Sequence, residues 1–420
     1  MIKNEFIFIT RFFSGLFETI EKESWQPSGI PTITNLVDKV SKNHIVTWIL
    51  VCKTIKESSI INHKQKKIVI NGIQFIIYPY RPFPKIINKF NNLIQTIIFI
   101  KEFRLFFSNN KKAIYYLDRS NIILASLIKR KYNPFIVIRI LGIYPSQKKL
   151  IQNFLYRLSR VLTYYSYKRN YSLCIGTQDG SGTEYYIDKL INRSTPRKIL
   201  LNGIEANSTI IEQKKSDKTH ILFVGSLTPT KGILDLIETA RRLKDYREKI
   251  QINIVGKGIL KSKLKLLIEE YDLADFVFLI GALPKERVAE MYFKSDIYVS
   301  LNKLGNLSNT VLEAFSFYKC IIMLESEPKL HIDEFTEKFI PNDTVIKIRR
   351  QNTPEDLSNK IIDLINNPHK INIYIKKSKE FSNTKIQSWD ERLSNEIATI
   401  IELNSTKKMS SNNFKKQNKK

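Results

Sequence analysis

The sequence predicts an α/β protein made of two doubly wound parallel-sheet domains, and three observations carry that expectation. Short apolar runs alternate with helical patterns along nearly the whole chain. The alternation occurs twice, on either side of a polar segment at 205–218. In the second half, two apolar runs end in glycine-containing turns that lead into helical patterns, at 225–232 (GSLTPTKG) and 305–314 (GNLSNTVLEA). The length agrees: 420 residues exceed what one core usually fills, and a hydrophobic content of 43% supplies material for two.

Taken in order, the apolar runs predict strands at 6–9, 45–51, 75–78, 113–117, 135–140, 173–175 and 198–201 in the first half. Segments of helical period such as ITNLVDKVSK and IILASLIKRK lie between several of them. In the second half strands are expected at 220–224, 250–255, 276–280, 297–300 and 320–324. The domains read as 1–204 and 219–380, joined by a linker at 205–218 and followed by a helical segment at 381–403. Residues 404–420 are Ser, Asn and Lys with almost nothing apolar, the composition of a short disordered basic tail.

The formal net charge is +28, and its placement matters more than its size. Residues 81–169 hold 18 Lys and Arg against 2 acids, and residues 407–420 add 6 more cations with no acid. Such an excess suits an anionic lipid surface, a nucleic acid or an anionic substrate, and a chain rich in Ile, Lys and Asn carries part of it through composition alone. No helix-turn-helix, RNA-recognition or zinc signature supports nucleic acid, so no nucleic-acid partner is expected. Cys52, Cys174 and Cys320 are far apart in apolar surroundings, which reads as reduced core thiols in a cytoplasmic protein. No apolar stretch approaches the roughly 18 residues of a membrane span.

The two glycine turns hold the chemistry. Each places small residues between a strand and a helix, where bare backbone N–H groups can meet an anion, and together they suggest one phosphate-bearing ligand held from two sides of a sheet. Thr310 and Glu313 have the spacing of a capping box, an ordinary structural role for that glutamate. On the N-terminal side, Ser28 and Gly29 form a small-residue turn before a helix. The segment TQDGSGT at 177–183 is another such turn, lining an acceptor side or simply a loop.

In order and spacing, KILLNG (198–203), HILFVGSLTPTKG (220–232), INIVGKG (252–258), FVFLIGAL, SDIYVSLNKLGNLSNTVLEA and FSNTKIQSWDERL resemble the retaining glycosyltransferases of the GT-B fold, glycosyltransferase family 4. The resemblance implies two Rossmann-like domains facing a cleft. The C-terminal domain would hold the nucleotide-sugar donor and the N-terminal domain the acceptor. It assigns Lys231 to the donor diphosphate, the backbone from Gly305 through Asn306, Asn309 and Thr310 to its phosphates, and Glu313 to the ribose hydroxyls, with Gly225 and Ser226 in the facing turn. Lys231 and Glu313 are the catalytic candidates; Ser28, Gly29 and Arg139 are candidates for a donor or acceptor loop.

The sequence also departs from that family. Gly305 stands where a first glutamate is usual, Ser226 where an arginine often follows the glycine, and Leu141 where a histidine is common. A contact to the donor sugar would then come from elsewhere, with Asn306 or Asn309 as candidates, or be absent. The expected activity is retaining transfer of a sugar from a nucleotide-sugar to a lipid-linked or polysaccharide acceptor in cell-surface glycan (polysaccharide or lipopolysaccharide) biosynthesis. It is expected in the cytoplasm or peripherally on the inner face of the membrane, against an anionic lipid surface, with no cofactor and no metal. The alternative is a GT-B scaffold that has lost catalysis and serves as a binding subunit.

Overall fold

The structure, a computed structural model, describes residues 3–82, 91–205 and 216–417, with side chains described through residue 409. The chain divides into two compact units. The first comprises Met1–Thr177, Glu184–Leu200 and Asp390–Lys420; the second comprises Gln178–Thr183 and Leu201–Trp389. Both are parallel sheets flanked by helices, as the alternation of strands and helices predicts.

The first unit is an eight-stranded sheet of β1 (Glu5–Arg11), β2 (Ile45–Val51), β3 (Lys66–Ile70), β4 (Ile73–Tyr78), β5 (Ile114–Asp118), β6 (Phe135–Ile140), β7 (Leu173–Thr177) and β8 (Arg197–Leu200), in the order β3-β4-β2-β1-β5-β6-β7-β8. Every pairing is parallel except β3 with β4. That edge hairpin was missing from the sequence expectation. Asn71 and Gly72 turn it at positive φ, while Lys66–Ile70 alternates too weakly to stand out beside the fully buried strands. Helices cover both faces, so β6 is buried at all six positions and reads as a continuous apolar run interrupted only by Arg139. On one face Ile7, Ile9, Ile49, Tyr115 and Ile138 join the main core; on the other Phe8, Trp48, Phe75 and Tyr116 stack, with Trp48 donating to the Thr10 hydroxyl at 2.9 Å.

The second face is where the chain's end returns. The helix Trp389–Gln417 belongs to the first unit from Asp390 onward, while residues 381–389 lie in the second. The polar stretch at 404–420 is described as helical as far as Gln417. Its first residues are held by the unit: Asn404 is buried, and Lys407 reaches the Pro134 carbonyl and the face of Phe135. Glu396 on this helix accepts from Tyr116 Oη at 2.7 Å and faces both Arg139, at 3.7 Å, and Arg392.

This corrects the expectation for Arg139. It is 0% exposed and donates to Thr177 Oγ1 at 2.7 Å, so it meets a buried counter-charge rather than a ligand. The partner lies more than 250 positions away in sequence, which no local pattern reveals.

The second unit is a six-stranded, all-parallel sheet of β9 (Thr219–Val224), β10 (Ile250–Val255), β11 (Val277–Gly281), β12 (Ile297–Ser300), β13 (Cys320–Leu324) and β14 (Ile346–Ile348), ordered β11-β10-β9-β12-β13-β14. The short β14 was not expected. Of the predicted linker, residues 206–215 lie outside the described residues, as do residues 83–90 of the basic stretch at 81–169. Cys52, Cys174 and Cys320 are free and buried. Among the described residues no helix is long and apolar enough to cross a membrane.

Candidate functional site

The strand order of the second sheet fixes where a ligand fits. The chain runs from β9 outward through β10 and β11, then returns to the other side of β9 with β12, β13 and β14. The order therefore reverses between β9 and β12, and the crevice beyond their carboxyl ends is the place where open parallel sheets bind ligands. The turns after those two strands are the two that the sequence singles out.

The turn after β9 is laced to the one after β10. Gly225 N–H donates to Val255 O and Leu227 N–H to Lys257 O, each at 3.0 Å. Gly256 has a φ of +149°, and a Cβ there would lie 1.8 Å from Gly225 O, so this approach admits only glycine. Ser226 is exposed at the tip, and a short 3-10 turn, Pro229–Lys231, follows. Lys231 is half-buried, and among the described residues its ammonium has no hydrogen bond or ion pair. Burial pushes its pKa below the ordinary lysine range, and Asp179 nearby partly restores it. A cation taken out of water without a direct ion pair is a site prepared for an anion.

The turn after β12 is tied to the first: Lys303 N–H donates to Thr230 O at 2.9 Å. Gly305 follows with a φ of +147°, and the helix Asn309–Ser316 begins after Ser308. The capping box expected of Thr310 and Glu313 does not form. The helix starts earlier than its sequence suggests, Ser308 takes the N-cap position, and its hydroxyl lies 3.1 Å from Thr310 Oγ1. Thr310 is thus inside the first turn, and its N–H and that of Asn309 are among the groups a helix start leaves without partners in its own ladder. Asn309 Oδ1 accepts from Asn202 Nδ2 at 2.5 Å.

Freed from a capping role, Glu313 is half-buried. Burial pushes its carboxyl up to about 7, with the Tyr292 hydroxyl and Lys285 pulling back and Glu205 pushing further. Tyr292 itself donates to Thr310 O at 2.8 Å.

Two members of the expected cradle are already engaged. Asn306 is fully buried; its N–H and its Nδ2 donate to the two oxygens of Asp333, at 2.7 and 2.8 Å, and its Oδ1 accepts from Ser300. Leu307 N–H donates to Asp179 O. Asn306 therefore holds the turn together and offers no side chain to a sugar. Asp333 is the residue that sequence reasoning missed. It is 2% exposed, also accepts from Thr336 and Arg350, and burial lifts its carboxyl to about 6. Its sequence neighbourhood, HIDEF, reads as an exposed acidic helix start and gives no sign of this.

In the first unit, Ser28 and Gly29 form an exposed turn held by Ser28 N–H donating to Gly15 O at 2.8 Å, and the helix Pro31–Ser41 follows with proline in its first turn. Gly29 has a φ of +83°, and a Cβ there would meet only Gly15 Cα, at 4.0 Å.

Residues 206–381 match the family described as glycosyl transferases group 1. An uncharacterized glycosyltransferase of Methanocaldococcus jannaschii, MJ1069, is 32% identical over 175 residues, 41% of this chain and 42% of that protein. The amylovoran biosynthesis glycosyltransferase AmsK of Erwinia amylovora is 37% identical over 79 residues, 19% of each chain. The chain thus spans less than half the length of the curated relatives it matches. Solved structures agree over nearly the whole chain. Sucrose-phosphate synthase from Thermosynechococcus elongatus matches with a TM-score of 0.71 at 13% identity, covering 96% of this chain and 100% of that one. Anabaena HepE in complex with UDP gives 0.63 at 10% identity, covering 97% and 100%. WaaG, a glycosyltransferase involved in lipopolysaccharide biosynthesis, gives 0.63 at 13% identity, covering 94% and 99%. At such identities the likeness is one of fold, the two-unit architecture named GT-B. The match to glycosyl transferases group 1 thus falls on the unit that carries Lys231 and Glu313.

Proposed function

We propose that this protein is a retaining glycosyltransferase that moves a sugar from a nucleoside-diphosphate donor to a lipid-linked or polysaccharide acceptor in cell-surface glycan biosynthesis. The observation that carries the reading is the half-buried ammonium of Lys231, which makes no hydrogen bond or ion pair among the described residues, at the β9/β12 switch point of the unit that also holds Glu313 and the helix start at Asn309. The leaving nucleoside diphosphate gains negative charge as the glycosidic bond breaks, and Lys231 with the first-turn N–H groups of Asn309 and Thr310 stabilises it. Glu313 accepts two ribose hydroxyls as a carboxylate. In such a transfer the departing phosphate takes the acceptor proton and the protein positions and neutralises, so no histidine base is needed. The names of AmsK and WaaG support the cell-surface setting, and the UDP in the HepE structure supports the donor class.

Thermal shift of the full chain with UDP, GDP and their sugar conjugates tests this. A shift with one nucleotide that Lys231→Ala abolishes is expected, followed by sugar transfer that EDTA leaves unchanged. Binding without transfer to any acceptor would instead favour the catalytically degenerate scaffold.

The first unit supports a lipid setting for the acceptor. The helix Phe154–Ser159 buries none of its residues, and Phe154, Leu155, Leu158, Leu162 and Tyr165 are all more than half exposed. No acid occurs from residue 119 to 178, while Lys149, Arg160 and Arg169 are exposed around these side chains. Apolar side chains ringed by cations match the interface of an anionic bilayer, each cation adding about 1 kcal/mol near the surface. The protein is expected to sediment with vesicles of equal parts phosphatidylglycerol and phosphatidylcholine, and a Leu155→Glu, Leu158→Glu variant to remain in solution. A dimer that this variant dissociates, with no vesicle binding by the parent, would overturn the lipid assignment.

A further inference from the structure

Gly305 is not merely a position without a side chain. A Cβ placed on it would lie 2.5 to 2.7 Å from the backbone of Asp179, Gly180 and Ser181. The space is filled by the turn at 178–183, which belongs to the second unit although it follows β7 in sequence. That turn is fastened at three points. Leu307 N–H donates to Asp179 O, Asp333 N–H donates to Gly180 O at 2.7 Å, and a Cβ on Gly180 would strike Asp333 and Asn306. Three turns therefore meet at this crevice: 179–182, 229–232 and 302–310.

The third turn brings a carboxylate. Asp179 Oδ1 accepts from Ser181 N–H at 3.0 Å, from Ser181 Oγ at 2.5 Å and from Thr183 Oγ1 at 3.4 Å. Its Oδ2 takes no hydrogen bond among the described residues, and the residue is only half-buried. One oxygen is spent on fixing the turn and the other is available. Asp179 and Lys231 sense each other's charge yet form no ion pair within 4.0 Å. Of the other carboxylates, Asp333 is committed to Asn306, Thr336 and Arg350 and Asp235 to Lys303, while Glu313 is assigned above to the ribose.

Resting on the nucleotide-sugar reading above, we infer that Asp179 Oδ2 accepts the hydroxyls of the donor's sugar ring and so makes this site prefer the sugar nucleotide over the free nucleotide. The diphosphate on Lys231 places the attached sugar within reach of a neighbouring acceptor, and a carboxylate is the strongest acceptor for ring hydroxyls. A carboxylate on Asp179 beside the phosphates themselves would repel them, which is why the sugar, not the diphosphate, is its partner.

The test compares binding of UDP with UDP-glucose, and of GDP with GDP-mannose, by calorimetry on the full chain and its Asp179→Asn, Asp179→Glu and Ser181→Ala variants. Asparagine keeps the Oδ1 acceptor that fixes the turn. It is expected to leave the free nucleotide's Kd within about twofold and to weaken the sugar nucleotide roughly 10-fold or more. Ser181→Ala loosens the turn without removing charge and is expected to keep the preference for the sugar nucleotide. Equal weakening of both ligands by Asp179→Asn, or no change in either, overturns the assignment to the sugar. If the unmodified chain binds none of the four, the nucleotide-sugar reading itself fails.

Discussion

Lys231 and Glu313 sit in one crevice with opposite electrostatic problems. An unpaired, desolvated ammonium contributes nothing to folding, so Lys231→Ala is expected to change stability by no more than about 0.5 kcal/mol while lowering transfer roughly 100- to 1,000-fold. Unfolding in urea beside initial rates separates the two effects; a loss of stability with unchanged rates would refute the role. Glu313 titrates near 7 when folded against an ordinary carboxyl value of 4.5, so in that window the folded state holds a proton that the unfolded chain has released. Stability from this group is therefore present at low pH and falls as pH rises from about 4.5 to about 7, and Asp333, raised to about 6, acts in the same direction. The ligand-free protein should lose Tm from about pH 5 to about pH 7.5, whereas nucleotide affinity should rise as Glu313 ionises to receive hydroxyls. Glu313→Gln should flatten the upper part of both curves, and a Tm profile unchanged by that substitution would contradict the assignment.

At the scale of elements, the site is three turns, and the sequence revealed two of them well. GSLTPTKG and GNLSNT were legible because glycine and small polar residues between a strand and a helix have a backbone meaning that composition alone displays. What remained hidden depends on distant partners. Asp333 reaches Asn306 from 27 positions away, the 178–183 turn crosses from the end of a first-unit strand, and Ser308 rather than Thr310 begins the helix because the turn before it is already anchored. Asn306 was accordingly misjudged as a ligand contact. The packing also explains the missing side chain at 305. Reintroducing an acid there, as Gly305→Glu, would force a φ of +147° on a residue with a Cβ and drive it into the 179–181 backbone. A loss of roughly 2–5 kcal/mol with no gain in activity is expected. A stable, more active variant would mean that the third turn is not where the structure has it.

The first unit is completed by the helix that follows Trp389. Residues from Asp390 onward belong to the first unit, and Glu396 there stands between the buried Arg139 and Arg392 with the Tyr116 hydroxyl on its other oxygen. Arg139 Nε and Nη1 have no hydrogen-bond partner among the described residues, so the guanidinium relies on Thr177 and on the charge of Glu396. Such a cluster is a poor source of net stability, because desolvating three charges offsets most of their attraction, yet it is severe to break. Glu396→Ala leaves two buried cations without their anion and is expected to cost roughly 3–5 kcal/mol of folding free energy. Lys231 and Glu313 lie in the other unit, so nucleotide Kd measured where the variant remains folded should stay within about twofold. Replacing the full set with Arg139→Met, Arg392→Leu and Glu396→Leu should recover most of the loss, since packed apolar residues do not need the counter-charge. Recovery with unaltered nucleotide binding would establish that the cluster fastens the C-terminal helix to its sheet and takes no part in the donor site; recovery of stability with donor binding lost would return Arg139 to the site.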